Sequence, residues 1–131
     1  MRVATFFGVN KGVLELDGTA SQPVTVTALE DDSVLGDTQK NGPPAGTPRR
    51  FNTIEIGSNN SRIRHAVIRY GGNAVARAGA VYIAGAATPS IEDTVIELSR
   101  LHGIALNGQF SSPSVARCVF RNNGLRAIGG P

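Results

Sequence analysis

Apolar residues recur along the chain in short alternating runs, and the runs themselves repeat. Arg62-Ile63-Arg64-His65-Ala66-Val67-Ile68-Arg69 is followed 28 residues later by Ser90-Ile91-Glu92-Asp93-Thr94-Val95-Ile96-Glu97. After a further 24 residues comes Ser114-Val115-Ala116-Arg117-Cys118-Val119-Phe120-Arg121. Ile63, Ile91 and Val115 align, as do Val67, Val95 and Val119, and Ile68, Ile96 and Phe120. The residue before each valine is small: Ala66, Thr94, Cys118. A second strip keeps the same spacing within one residue: Asn52-Thr53-Ile54-Glu55-Ile56, Gly79-Ala80-Val81-Tyr82-Ile83 and His102-Gly103-Ile104-Ala105-Leu106. Ala127-Ile128 begins a further copy, and Val13-Leu14-Glu15-Leu16 with Pro23-Val24-Thr25-Val26-Thr27 reads as an earlier one. A period of two sends Ile54, Ile56, Val81, Ile83, Ile104 and Leu106 to one face and Glu55, Tyr82 and Ala105 to the other. No helical period is present.

A unit of about 24 residues built from two or three short strands predicts one coil of a β-solenoid. A single coil cannot bury its inward face. Stacking coils about 4.8 Å apart pairs their backbones and closes a narrow core. The expected fold is all-β, a right-handed parallel β-helix of about four coils forming one segment over residues 1–131. The acidic, Gly- and Pro-rich stretch 30–50 interrupts the repeat and is expected as an inserted loop.

Composition narrows the function. The chain has 131 residues, enough for one domain, and its charge is too low for a disordered one. One cysteine excludes an internal disulfide framework, and with two histidines it argues against structural zinc. No apolar run is long enough to span a membrane. The start, Met1-Arg2-Val3-Ala4-Thr5-Phe6-Phe7-Gly8, is too short in its apolar stretch for a secretory signal. Charge is uneven, with a balance of −3 over residues 1–48 and +6 over residues 49–131. The arginines are scattered at strand-like spacing without interleaved aromatics, so nucleic acid is not an expected partner.

Stacking would set Arg69, Glu97 and Arg121 in one outward ladder and His65, Asp93 and Arg117 in another. Signs alternate down both, which explains these charges as coil-to-coil pairing and leaves them as weak binding candidates. Val67, Val95 and Val119 would form an outward apolar stripe, either an ordinary strand surface or a packing surface for another chain. Cys118 falls at a small core position and is expected to be inert. Asp31, Asp32, Asp37 and Asn41 make a weak calcium candidate, with Asp37-Thr38-Gln39-Lys40-Asn41-Gly42 partly matching an oxygen-rich loop. The distal bidentate glutamate of such loops is missing, and no other cofactor is expected. Glycoside hydrolysis needs convergent carboxylates, and Glu92-Asp93 is the one doublet inside the repeats. Strand neighbours face opposite ways, so convergence there needs a turn. No catalytic residue is assigned.

Several segments resemble turns of bacterial pectin-lyase-like parallel β-helix repeat proteins. These are Leu14–Thr27, the acidic residues Asp31-Asp32-Ser33-Val34 with Gly36-Asp37-Thr38, His65-Ala66-Val67-Ile68-Arg69-Tyr70-Gly71-Gly72, Thr88-Pro89-Ser90-Ile91 and Phe120-Arg121-Asn122-Asn123. At Arg49-Arg50-Phe51-Asn52 the chain departs from the tryptophan-containing turn of that group. The resemblance implies a segment of a larger extracellular or cell-surface solenoid with a structural, adhesive or carbohydrate-contacting role and a polysaccharide or cell-surface partner. Two alternatives stay open: a remnant of a polysaccharide lyase or glycoside hydrolase, and a module that self-associates through its solenoid ends or the valine stripe.

Overall fold

The computed structural model describes residues 2–3, 7–9, 12–42 and 48–130. Fourteen short strands among them form three parallel sheets. Sheet one stacks β1 (Arg2–Val3), β4 (Val24–Ala28), β7 (Ala66–Arg69), β10 (Val95–Glu97) and β13 (Val119–Arg121). Sheet two stacks β2 (Phe7–Val9), β5 (Ile54–Ile56), β8 (Gly79–Ile83), β11 (His102–Leu106) and β14 (Ile128–Gly129). Sheet three stacks β3 (Glu15–Asp17), β6 (Arg62–Arg64), β9 (Ser90–Glu92) and β12 (Ser114–Ala116). The chain visits the sheets in rotation, so the molecule is a parallel β-helix.

The registers match the repeat. Ile63 lies beside Ile91 and Ile91 beside Val115. Val67, Val95 and Val119 stack, as do Ile68, Ile96 and Phe120. Ile54, Val81, Ile104 and Ile128 follow one another down sheet two. The β-branched inward residues suit this pleated geometry, since each contacts its counterpart one rung away. Val26, Ile54, Ile56, Ile63, Ile68, Val81, Ile83, Ile91, Ile96 and Ile104 are fully buried. Each such side chain contributes about 1.5–3 kcal/mol of hydrophobic burial. Together they form the thin shaft that a single coil could not close.

One rung was not legible in the repeat. Residues 2–3 and 7–9 pair with β4 and β5, making sheets one and two five strands deep. Runs of two and three residues are too short to show a period of two, so the pattern could not predict them.

From β6 onward two corners turn by a left-handed residue; the earlier corner between β3 and β4 is longer, residues 18–23. Between sheets three and one this residue is His65, Asp93 or Arg117, at φ 47°, 47° and 51°. After sheet one it is Tyr70, Leu98 or Asn122, at φ 59°, 56° and 51°. One left-handed residue redirects a strand within a single step, which keeps successive coils in register. The route from sheet one to sheet two then varies in length. It spans residues 29–53, 70–78, 98–101 and 122–127 in successive coils. The 70–78 route holds a 3-10 turn, Val75–Arg77.

The longest route contains the inserted stretch 30–50, of which residues 43–47 lie outside the described residues. Its two ends are anchored. Phe51 is fully buried, its amide donates to Tyr70 O at 3.0 Å, and Asn73 N donates to its carbonyl at 3.1 Å. Gly71 makes room for the ring, because a Cβ there would sit 2.6 Å from Phe51 Cζ. No helix among the described residues is long and apolar enough to cross a membrane.

Candidate functional site

The outward charges pair across coils. Arg69 Nε lies 3.8 Å from Glu97, and Arg121 Nη2 lies 3.0 Å from Glu97. Asp31 joins the same ladder, its carboxylate 3.4 Å from Arg69 Nε. A sequence-only reading separates Asp31 from Arg69 because 38 positions of chain, including the inserted loop, divide them. The carboxylate of Asp31 is buried and also accepts from Thr27 Oγ1 at 2.5 Å, Ser33 Oγ at 2.5 Å and Ser33 N at 3.2 Å. Burial pushes its pKa up, but the Ser33 and Thr27 hydrogen bonds and the Arg69 charge outweigh it and hold the group below the usual carboxylate value.

At the sharp corner, Arg117 Nε donates to Asp93 at 2.7 Å and its Nη2 donates to Asp93 at 2.9 Å and to Glu92 at 3.3 Å. The corner supplies the turn that the Glu92-Asp93 doublet needs for convergence, and the two carboxylates converge on a guanidinium. The Arg117 hydrogen bond holds Asp93 below the usual carboxylate range. A carboxyl kept ionised in this way is poorly matched to proton donation. His65 occupies the equivalent corner one coil earlier, and its proximity favours the ionised form of Asp93 more weakly than Arg117 does. Coil to coil, sheet three repeats the device: Arg62 bridges Glu15 and Asp17 at 3.0 Å each, and Arg64 Nε donates to Asp17 at 2.9 Å.

The inserted loop uses its acids to hold itself together. Asp37 accepts from Gly42 N at 2.7 Å and Asn41 N at 3.2 Å, while Asp32 Oδ1 has no hydrogen-bond partner. No group of three or more His, Cys, Asp or Glu side chains among the described residues is arranged to hold a metal ion. Val67 and Val95 are half-buried and Val119 is exposed, so the outward valine stripe exists. Cys118 is half-buried, and its Sγ lies 3.4 Å from Ile91 O and from Ala116 O. Thr94, one coil earlier, donates to Glu92 O in the same way. Burial pushes the Cys118 thiol up, away from the thiolate form that reacts.

A different feature offers open space. The outward file down sheet two reads Glu55, Tyr82, Ala105 and Gly129, in register. Side-chain size falls from tyrosine to alanine to none, and the step leaves a recess of about 220 Å³. Its walls include Val75 and Ala78 from the 70–78 route, Tyr82, His102, Leu106 and Asn107. The route reaches over the sheet because Arg77 Nε donates to Glu55 at 2.5 Å and its guanidinium packs 5.8 Å from the Tyr82 ring centre. The His102 ring lies against β14, where a Cβ on Gly129 would sit 2.4 Å from it. His102 Nδ1 accepts from Arg126 N at 3.1 Å, which leaves the ring proton on Nε2 as a donor. The alternation of the second strip marks Tyr82 and Ala105 as outward. Neither the recess nor the covering route is visible without the stacking.

The described residues thus present a stacked core, three outward faces, charge ladders and a recess beside an aromatic ring. No protein-family model, curated protein or solved structure matches the chain.

Proposed function

We propose that this chain is a segment of an extracellular or cell-surface solenoid of the pectin-lyase-like kind, whose role is to hold a rigid surface against carbohydrate. The observation that carries this reading is the sheet-two recess. It combines apolar walls, an aromatic ring, an imidazole donor and an amide, set on and beside paired strands of sheet two. Sugars ask for this mixture, because a pyranose has an apolar C–H face and a rim of hydroxyls. The rigid backbone beneath it lowers the ordering cost of binding. The cross-coil ion pairs support the structural half of the role, since they occupy charged groups with neighbours in the same chain. Co-sedimentation of the folded chain with insoluble cell-wall polysaccharides tests the proposal. Depletion from the supernatant with at least one of them is expected. Complete recovery in the supernatant with all of them overturns it.

A further inference from the structure

We infer that the sheet-two recess takes one neutral sugar ring rather than an acidic one; this rests on the carbohydrate reading above and deepens it. Size sets the first limit. Pockets for drug-sized ligands run about 300–1,000 Å³, and this one is about 220 Å³. It accommodates a single ring of a longer chain.

Charge sets the second limit. None of the residues that wall the recess is Asp, Glu, Lys or Arg. The guanidinium on the covering route, that of Arg77, is committed to the buried carboxylate of Glu55 at 2.5 Å. A uronate entering the recess would leave water for a site where the adjacent cation is already neutralised. Desolvating an ion without a new partner is strongly unfavourable. A neutral ring meets no such penalty. Its C–H face lies against Tyr82 and Ala105, and its hydroxyls meet the His102 Nε2–H and the Asn107 amide, which both donates and accepts. Specificity for the neutral class therefore comes from the Arg77–Glu55 pair, which braces the covering route and removes free positive charge in one contact.

Amide chemical shifts of the whole chain titrated with neutral tetraoses of glucose, mannose and galactose, and with tetragalacturonate, test the inference. At least one neutral tetraose is expected to shift the Tyr82, Ala105 and Asn107 amides, with tetragalacturonate at least tenfold weaker. Tyr82→Ala and Gly129→Ala should each weaken the neutral ligand at least tenfold, the second by displacing the His102 ring without altering it. Should Tyr82→Ala lose its dispersed spectrum, Ala105→Leu replaces it, filling the recess from an outward position. Tetragalacturonate binding at the recess as tightly as the neutral sugars overturns the neutral class and leaves the carbohydrate reading standing. Shifts confined to the amides around Arg117 and Arg121 overturn the recess as the site. Silence with all four tetraoses overturns the inference, while the sedimentation result decides the broader reading separately.

Discussion

The corner between sheets three and one and the corner between sheets one and two begin alike and end differently. From β6 onward the first uses one left-handed residue, His65, Asp93 or Arg117, and the next strand starts within two residues of it. The second starts with Tyr70, Leu98 or Asn122 in the same conformation and then adds a route of changing length. A corner of one or two residues leaves little slack, so side chains at equivalent positions stack and their charges pair, as Arg117 does with Asp93. A longer corner has chain to spare. The 70–78 route spends it by folding over the outer face of sheet two, and the recess is the result. Regular corners build the scaffold, and irregular ones make it locally distinct.

The largest effect is expected where the longest irregular corner meets the shaft. Phe51 is fully buried, and its ring packs on the backbone at Gly71. Phe51→Ala removes the ring and leaves a cavity that strand backbones cannot easily close. The expected loss is about 3–5 kcal/mol, read as a lower urea midpoint at unchanged slope. A loss below about 1 kcal/mol would mean that this corner hangs on the solenoid rather than belonging to its core.

Asp31 gives the next effect, and it carries a pH signature. Asp31→Asn leaves Arg69 without its buried partner and disturbs the Thr27 and Ser33 donors, at about 1–3 kcal/mol near neutrality. The folded-state pKa lies below the unfolded value, near 3.9. The carboxylate's contribution is therefore present above that unfolded value and is lost as pH falls through the folded one. The gap between native chain and variant should narrow below about pH 4. Urea midpoints at pH 7 and pH 3 measure it, and an equal gap at both would show that the ionised carboxylate is not what holds the loop.

The scaffold was legible in the sequence and the recess was not, for one physical reason. Ile63, Ile91 and Val115 repeat because each must fill the same slice of the shaft, and that constraint is written at the same place in every coil. The alternating signs of Arg69, Glu97 and Arg121 repeat for the same reason. Tyr82 and Ala105 differ because the outward position has no such constraint, so a pattern search treats the step between them as noise. Asp31 reads locally as part of a cation loop, yet its main charge partner is a ladder arginine reached only after folding. Cys118 was legible because the core demands a small residue there, and the thiol copies the Thr94 contact one coil away.

The smallest expected effect probes the step the two corners share. Leu98 sits at φ 56°, a conformation in which a Cβ is crowded, and the equivalent residue one coil on is Asn122 at φ 51°. Asparagine tolerates this region through local hydrogen bonding, whereas a β-branched residue does not. Leu98→Val should therefore cost about 1–2 kcal/mol, and Leu98→Asn should cost less although it removes more apolar surface. Thermal midpoints of the pair separate backbone conformation from side-chain packing. If valine is tolerated as well as asparagine, the corner residue is free to leave the left-handed region, and register must then be held by the inward aliphatic stack alone. That outcome would erase the distinction between the corners, because a turn that can relax is no tighter than one with chain to spare.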